Sequence, residues 1–136
     1  MRKLSMLFLL LLLMACESNE RLTFLNLDAE YFKERIEEAS LDNEETFLID
    51  VRSYSDYIEG HIEGAINLDF EAEDFDMRLA ELDKAAVYYV YCRTGNRSDK
   101  VMKIMKDSGF KNVLCLKSGI TDWKEKGFPI KKTQTS

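Results

Sequence analysis

Ala85-Ala86-Val87-Tyr88-Tyr89-Val90-Tyr91-Cys92-Arg93-Thr94-Gly95-Asn96-Arg97-Ser98 is the stretch whose reading decides the fold. Its first half is a short apolar run rich in β-branched and aromatic residues, the pattern of a strand buried on both faces. Its second half is a glycine-containing loop, and Ser98 reads as the N-cap of a helix over 98–108 with a stripe of Val101, Ile104 and Met105, closed by Gly109. A cysteine therefore stands on a strand-to-helix turn. Backbone N–H groups curling at a helix N-terminus form an anion-binding nest, reinforced by the helix dipole. The guanidinium groups of Arg93 and Arg97 flank the sulfur in sequence. Each of these features favours thiolate over thiol, which points to Cys92 as a nucleophile near neutral pH. The alternative, a small buried hydrophobe, gives no reason for two arginines and a glycine beside it.

Outward from this loop, strand and helix patterns alternate. Residues 22–27 read as a first strand, and Asp28 caps a helix running to about 39 with Tyr31, Phe32 and Ile36 on its apolar face. Residues 46–51 form a second buried strand, 53–59 a short helix stopped by Gly60, and 70–83 an acidic helix with Phe75, Leu79 and Leu82 at helical spacing. After the Cys92 loop come a strand at 113–116 and a helix from Ser118-Gly119 to Lys126, ended by Gly127 and Pro129. Short apolar strands alternating with helices imply an α/β domain, a mostly parallel sheet covered on both faces. In such a sheet the ligand site lies beyond the carboxyl ends of the strands, where Asp50 and Arg52 fall. They read chiefly as loop-fixing groups bonded to backbone and to acids such as Asp56, with substrate contact the alternative, since buried charges are usually paired. His61, the one histidine, stands in a turn before Ala65-Ile66-Asn67-Leu68 and reads as structural. Cys115 and Trp123 read as core residues, with a resolving thiol the lesser alternative for Cys115.

The loop Cys-Arg-Thr-Gly-Asn-Arg-Ser at 92–98 resembles the active-site loop of single-domain rhodaneses, sulfurtransferases that carry a cysteine persulfide. Leu48-Ile49-Asp50-Val51-Arg52, Gly60-His61-Ile62-Glu63-Gly64-Ala65-Ile66-Asn67, and the stretch from Trp123 to Gly127-Phe128-Pro129 resemble the same family in the same order. The resemblance spans about residues 22–131 and implies a three-layer domain with a five-stranded sheet. It implies Cys92 as the catalytic residue, Arg93, Thr94, Gly95, Asn96 and Arg97 as the substrate-binding loop, and Asp50, Arg52 and Ser98 as loop-positioning residues. It further implies thiosulfate or a similar small anion as sulfur donor and a thiol or cyanide as acceptor, with no cofactor. The family usually has glutamate where this chain has Asp56. Arg93 directly after the cysteine is similar to thiosulfate-type relatives rather than mercaptopyruvate-type ones. Cysteine phosphatases and arsenate reductases of the wider fold family need five residues between cysteine and arginine, and four separate Cys92 from Arg97. The remaining rival is a sulfur-carrier or docking module without turnover.

At 136 residues and a formal charge of −6, the chain is sized for one domain, and its acidity argues against nucleic acid as a partner. Residues 1–15 differ from the rest: Arg2 and Lys3 precede an apolar run too short for a comfortable membrane span, as in an export signal. The end of that run, Leu13-Met14-Ala15-Cys16, resembles the bacterial lipoprotein box, which implies lipidation at Cys16, a membrane anchor, and a place in the bacterial cell envelope. An uncleaved anchor or a signal cut elsewhere are the alternatives. Loss of the signal removes two basic side chains and takes the formal charge from −6 to −8. The expected organisation is signal 1–15, tether 16–21, domain 22–131 and polar tail 132–136, working as a monomer. No Cys/His spacing suits a metal.

Overall fold

The structure, a computed structural model, describes residues 21–41 and 45–134. Five strands and five helices alternate along the described residues: β1 Thr23–Leu27, α1 Ala29–Leu41, β2 Thr46–Asp50, α2 Tyr54–Glu59, β3 Ile66–Asn67, α3 Phe75–Ala80, β4 Val87–Tyr91, α4 Asn96–Asp107, β5 Asn112–Leu116 and α5 Gly119–Glu125. The strands make one sheet in the order β1-β5-β4-β2-β3, and every neighbouring pair is parallel. This is the expected α/β architecture with five strands. The central strand is β4, flanked by β5 and β2, so the loop that carries Cys92 leaves the middle of the sheet at its carboxyl edge.

The alternation within β4 shows why its sequence is apolar throughout. Tyr88, Val90 and Cys92 point into one core with Val101 and Met105 of α4 and Phe75 and Leu79 of α3. Tyr89 and Tyr91 point into the other with Phe32 of α1 and Ile120 and Trp123 of α5. Side chains two apart share a face, so a strand between two helical layers needs apolar residues at every position. In β5, Val113 and Cys115 go to the first core and Leu114 and Leu116 to the second. Trp123 is in the core, 2% exposed, its indole N–H donating to the Pro129 carbonyl.

Two elements depart from the sequence expectation. The acidic helix is only Phe75–Ala80 rather than 70–83. Asp69 accepts a hydrogen bond from the Glu71 N–H, and Ala72 and Phe75 close successive tight turns, so the segment before α3 spends its backbone groups on turns. Helix α4 starts at Asn96 behind Gly95 rather than behind Ser98. Ser98 lies inside the first turn and is fully buried, which frees its side chain for another task.

Candidate active site

The carbonyls of Cys92 and Arg93 are held from outside the loop. The N–H of Ile120 donates to the Cys92 carbonyl at 2.9 Å and that of Thr121 to the Arg93 carbonyl at 3.1 Å. With those carbonyls turned toward α5, the following N–H groups turn toward the sulfur. Gly95 donates its N–H to Cys92 Sγ at 3.1 Å and Ser98 its N–H at 3.4 Å. Gly95 takes φ 100°, and a Cβ there would lie 2.0 Å from the Lys117 carbonyl oxygen, so only glycine lets the loop close onto β5. Gly119 answers it from the other side: with φ 67°, its Cβ would lie 2.2 Å from the Arg93 carbonyl oxygen. The sequence marks Ser118-Gly119 as a helix opening; that this glycine also shapes the nest rests on a long-range contact.

Ser98 completes the surroundings of the sulfur. Its hydroxyl donates to the Gly95 carbonyl at 3.0 Å and lies 3.6 Å from Cys92 Sγ, from which the thiol proton can reach it. On ionisation the same hydroxyl can turn its one proton to the sulfur. Burial pushes the Cys92 thiol up, and hydrogen bonds from the Ser98 N–H and hydroxyl and from the Gly95 and Arg97 N–H groups outweigh it, leaving the thiol below its ordinary value. The sequence assigned part of this stabilisation to the flanking guanidinium groups. Their charge goes elsewhere: Arg93 Nη2 lies 3.0 Å from Asp56 Oδ2, and Arg97 Nη2 lies 2.7 Å from Glu71 Oε1. Charges at the end of long exposed side chains find nearby carboxylates, whereas the N–H groups are fixed to the sulfur by the backbone.

Cys92 is 2% exposed at the floor of an open cleft of about 430 Å³, whose walls include Arg93, Thr94, Asn96, Arg97 and Arg52. The five residues of the expected substrate-binding loop are thus brought together around one sulfur: four face the cleft and Gly95 bonds the sulfur from within. Asp50 and Arg52 stand at the end of β2. The Arg52 guanidinium grips the Asp50 carboxylate, with contacts of 2.7 to 3.2 Å, and donates to the Gly60 carbonyl at 2.7 Å. Both are buried, so this is a loop-fixing pair with the edge of Arg52 on the cleft wall. His61 does not line that cleft. Its Nδ1 is 2.9 Å from the Tyr57 carbonyl oxygen, its ring stacks on Tyr57, and its backbone bridges to Lys131. Cys115 donates its S–H to the Ser98 carbonyl at 3.3 Å, fully buried. Cys16 and residues 1–15, the expected signal, lie outside the described residues.

The sequence from residue 28 to residue 126 matches the model of the Rhodanese-like domain family. The chain belongs to that family. A curated relative named "Sulfurtransferase" from Allochromatium vinosum is 30% identical over 104 residues, covering 76% of this chain and 92% of that protein. A tRNA uridine(34) hydroxylase from Yersinia enterocolitica is 34% identical over 99 residues, 67% of this chain but only 28% of that longer protein. Among solved structures, the Alr3790 protein from Anabaena sp. superposes with a TM-score of 0.66 at 30% identity, covering 79% of this chain and 80% of that one. One of these relatives is named for sulfur transfer, and the donors converging on Cys92 Sγ are a structural counterpart to that chemistry.

Proposed function

We propose that this rhodanese-like protein is a thiosulfate-type sulfurtransferase working through a persulfide on Cys92. The Cys92 thiolate attacks the outer sulfur of thiosulfate. The sulfur–sulfur bond breaks, and sulfite leaves with its electron pair. The terminal sulfur of the resulting Cys92 persulfide carries the negative charge, beside the nest whose Gly95 and Ser98 N–H groups already hold Cys92 Sγ, and preorganised donors of this kind favour such charge as they do an oxyanion. A thiolate or cyanide then attacks that terminal sulfur and releases the Cys92 thiolate. Hydrogen bonds to the sulfur favour the thiolate that serves as nucleophile.

The observation that carries this reading is the convergence of backbone N–H groups and the Ser98 hydroxyl on one sulfur at the floor of the cleft. A cysteine phosphatase reading is weaker. It would need the loop arginine on the equatorial oxygens of a tetrahedral anion, and here Arg97 is held by Glu71. Steady-state kinetics with thiosulfate varied at several cyanide concentrations tests the proposal. Parallel double-reciprocal lines are expected for a persulfide enzyme; intersecting lines, or no thiocyanate formed, would refute it.

The same proposal places the domain on a membrane of the bacterial cell envelope. Cys16 would bear the lipid after removal of residues 1–15, residues 16–21 would tether a monomeric domain 22–131, and 132–136 would follow as a polar tail whose Thr133 N–H donates to the Ile58 carbonyl at 3.1 Å. The lipoprotein-box pattern at residues 13–16 supports this part, and two or more acyl chains suffice for stable anchoring. Metabolic labelling with a radioactive fatty acid should mark the wild type and not Cys16→Ser; an unlabelled wild type would contradict it.

A further inference from the structure

Every arginine facing the Cys92 cleft already holds a carboxylate. Arg52 is bound to Asp50 in the wall, Arg93 to Asp56 and Arg97 to Glu71 at the rim. Asp56 stands in the first turn of α2 and Glu71 in the turns before α3, so two separate elements each bring one acid to the mouth of the cleft. Both acids line the cleft along with the arginines they hold. Matched one to one, these side chains give the cleft no net positive charge, and the attraction for negative charge that remains is the backbone nest on Cys92 Sγ.

That arrangement treats two kinds of sulfur donor differently. Thiosulfate is a dianion whose sulfonate would share Arg93 or Arg97 with the carboxylate that each already holds, and so sit beside that negative charge. A hydropersulfide, R–S–SH, brings its transferable sulfur to the nest with no sulfonate to place. The side chains of the two pairs are 68% and 29% exposed for Arg93 and Asp56, and 43% and 65% for Arg97 and Glu71. Pairs this exposed are weak and screened by salt, so they yield to a competing anion by degrees.

We propose that Asp56 and Glu71 tune the choice of sulfur donor by charge: by holding Arg93 and Arg97 they reduce the cleft's advantage for the dianion thiosulfate over a hydropersulfide, a second donor that the same Cys92 nest accepts. This rests on the reading of Cys92 as the sulfur-carrying thiol. With the hydropersulfide, the Cys92 thiolate attacks the outer sulfur, the sulfur–sulfur bond breaks, and RS⁻ leaves with the electron pair. Cys92 is left as Cys–S–SH, so charge and atoms balance without an oxidant. Asp56 and Glu71 act through the arginines and are positioning residues.

The test compares kcat/KM for thiosulfate and for 2-hydroxyethyl hydropersulfide on wild type, Asp56→Asn, Glu71→Gln and the double variant, at low and high salt. Each single substitution is expected to shift the ratio of the two values toward thiosulfate by about two- to fivefold at low salt, through a lower KM for thiosulfate rather than a higher kcat. The shift should be larger in the double variant and shrink at high salt. Glu71→Gln lies in an exposed turn and keeps the test open if Asp56→Asn perturbs α2. A ratio that stays put in variants that turn over, or a change equal for both donors, overturns the selection by charge while leaving sulfur transfer intact. A wild type that forms no Cys92 persulfide from either donor overturns the sulfur-transfer reading itself, and the selection with it.

Discussion

The end of β4 and the middle of β5 each bury a cysteine against the same residue, and the two thiols are driven in opposite directions. Cys115 donates to the Ser98 carbonyl, and burial pushes its thiol up to about 12. Cys92 is almost as buried, yet donors from Ser98, Gly95 and Arg97 bring its thiol below the ordinary value. Burial alone favours the neutral form of either group. What separates them is which backbone atoms they meet. A strand interior such as β5 spends its N–H groups on its neighbours. A loop that leaves the sheet and enters α4 has N–H groups to spare, and here they point at sulfur. In the proposed function the sulfur-carrying cysteine is the one at the end of its strand.

The largest expected effect tests the two positions directly. Cys92→Ser should bring sulfur transfer below detection, because a hydroxyl cannot replace the thiolate. Cys115→Ser should retain it, with a loss of stability from placing a hydroxyl in an apolar core. Turnover in Cys92→Ser, or its loss in a folded Cys115→Ser, breaks the contrast.

Gly95→Ala probes the nest itself. The new Cβ meets the Lys117 carbonyl at 2.0 Å in a left-handed backbone conformation. We expect thermal or urea denaturation to show a destabilisation of about 2–5 kcal/mol, from strain and overpacking together. An unchanged midpoint would mean that the loop does not depend on this close approach.

Ser98→Ala sharpens the contrast further, since it removes the hydroxyl near Cys92 and leaves the Ser98 carbonyl that Cys115 uses. Losing a donor to the thiolate raises the thiol's pKa, so the midpoint of Cys92 alkylation should move up by about one pH unit. The rate at neutral pH should fall accordingly, while Cys115 stays unreactive. A midpoint that stays or moves down would show that the backbone N–H groups act alone.

The arginines should matter least. Because Asp56 and Glu71 already hold them, Arg93→Ala and Arg97→Ala should each lower kcat/KM for thiosulfate by about two- to fivefold, as expected of exposed charges. A hundredfold loss would restore them as principal anion binders.

The residues that the sequence displays well are those whose role is local. The apolar run before Cys92, the glycine in its loop and the helical stripe of Val101 and Met105 mark the central strand, the turn and the crossover helix. Asp50 and Arg52 are legible as loop-fixing groups because a charge next to a buried strand end needs a partner, but the sequence points to acids such as Asp56, whereas the fold pairs the two with each other and gives Asp56 to Arg93. What the sequence hides is long-range. Ser98 has the composition of a cap, and its inward turn depends on Gly95 closing onto Lys117, a residue of the next crossover. Gly119 is needed because the Arg93 carbonyl comes within reach of it. The partners of Arg93 and Arg97 lie 37 and 26 positions away in sequence, so the charge of the loop reads as free until the fold brings Asp56 and Glu71 beside it.

Peptide mass spectrometry distinguishes Cys92 from Cys115 as the sulfur-carrying thiol that the loop after β4 is proposed to create. The purified protein is incubated with thiosulfate, the excess donor removed, and the remaining thiols capped before digestion. One added sulfur atom is expected on the peptide containing Cys92 and none on the peptide containing Cys115, with the addition lost on treatment with cyanide. Sulfur found on Cys115, or on neither peptide, would contradict it.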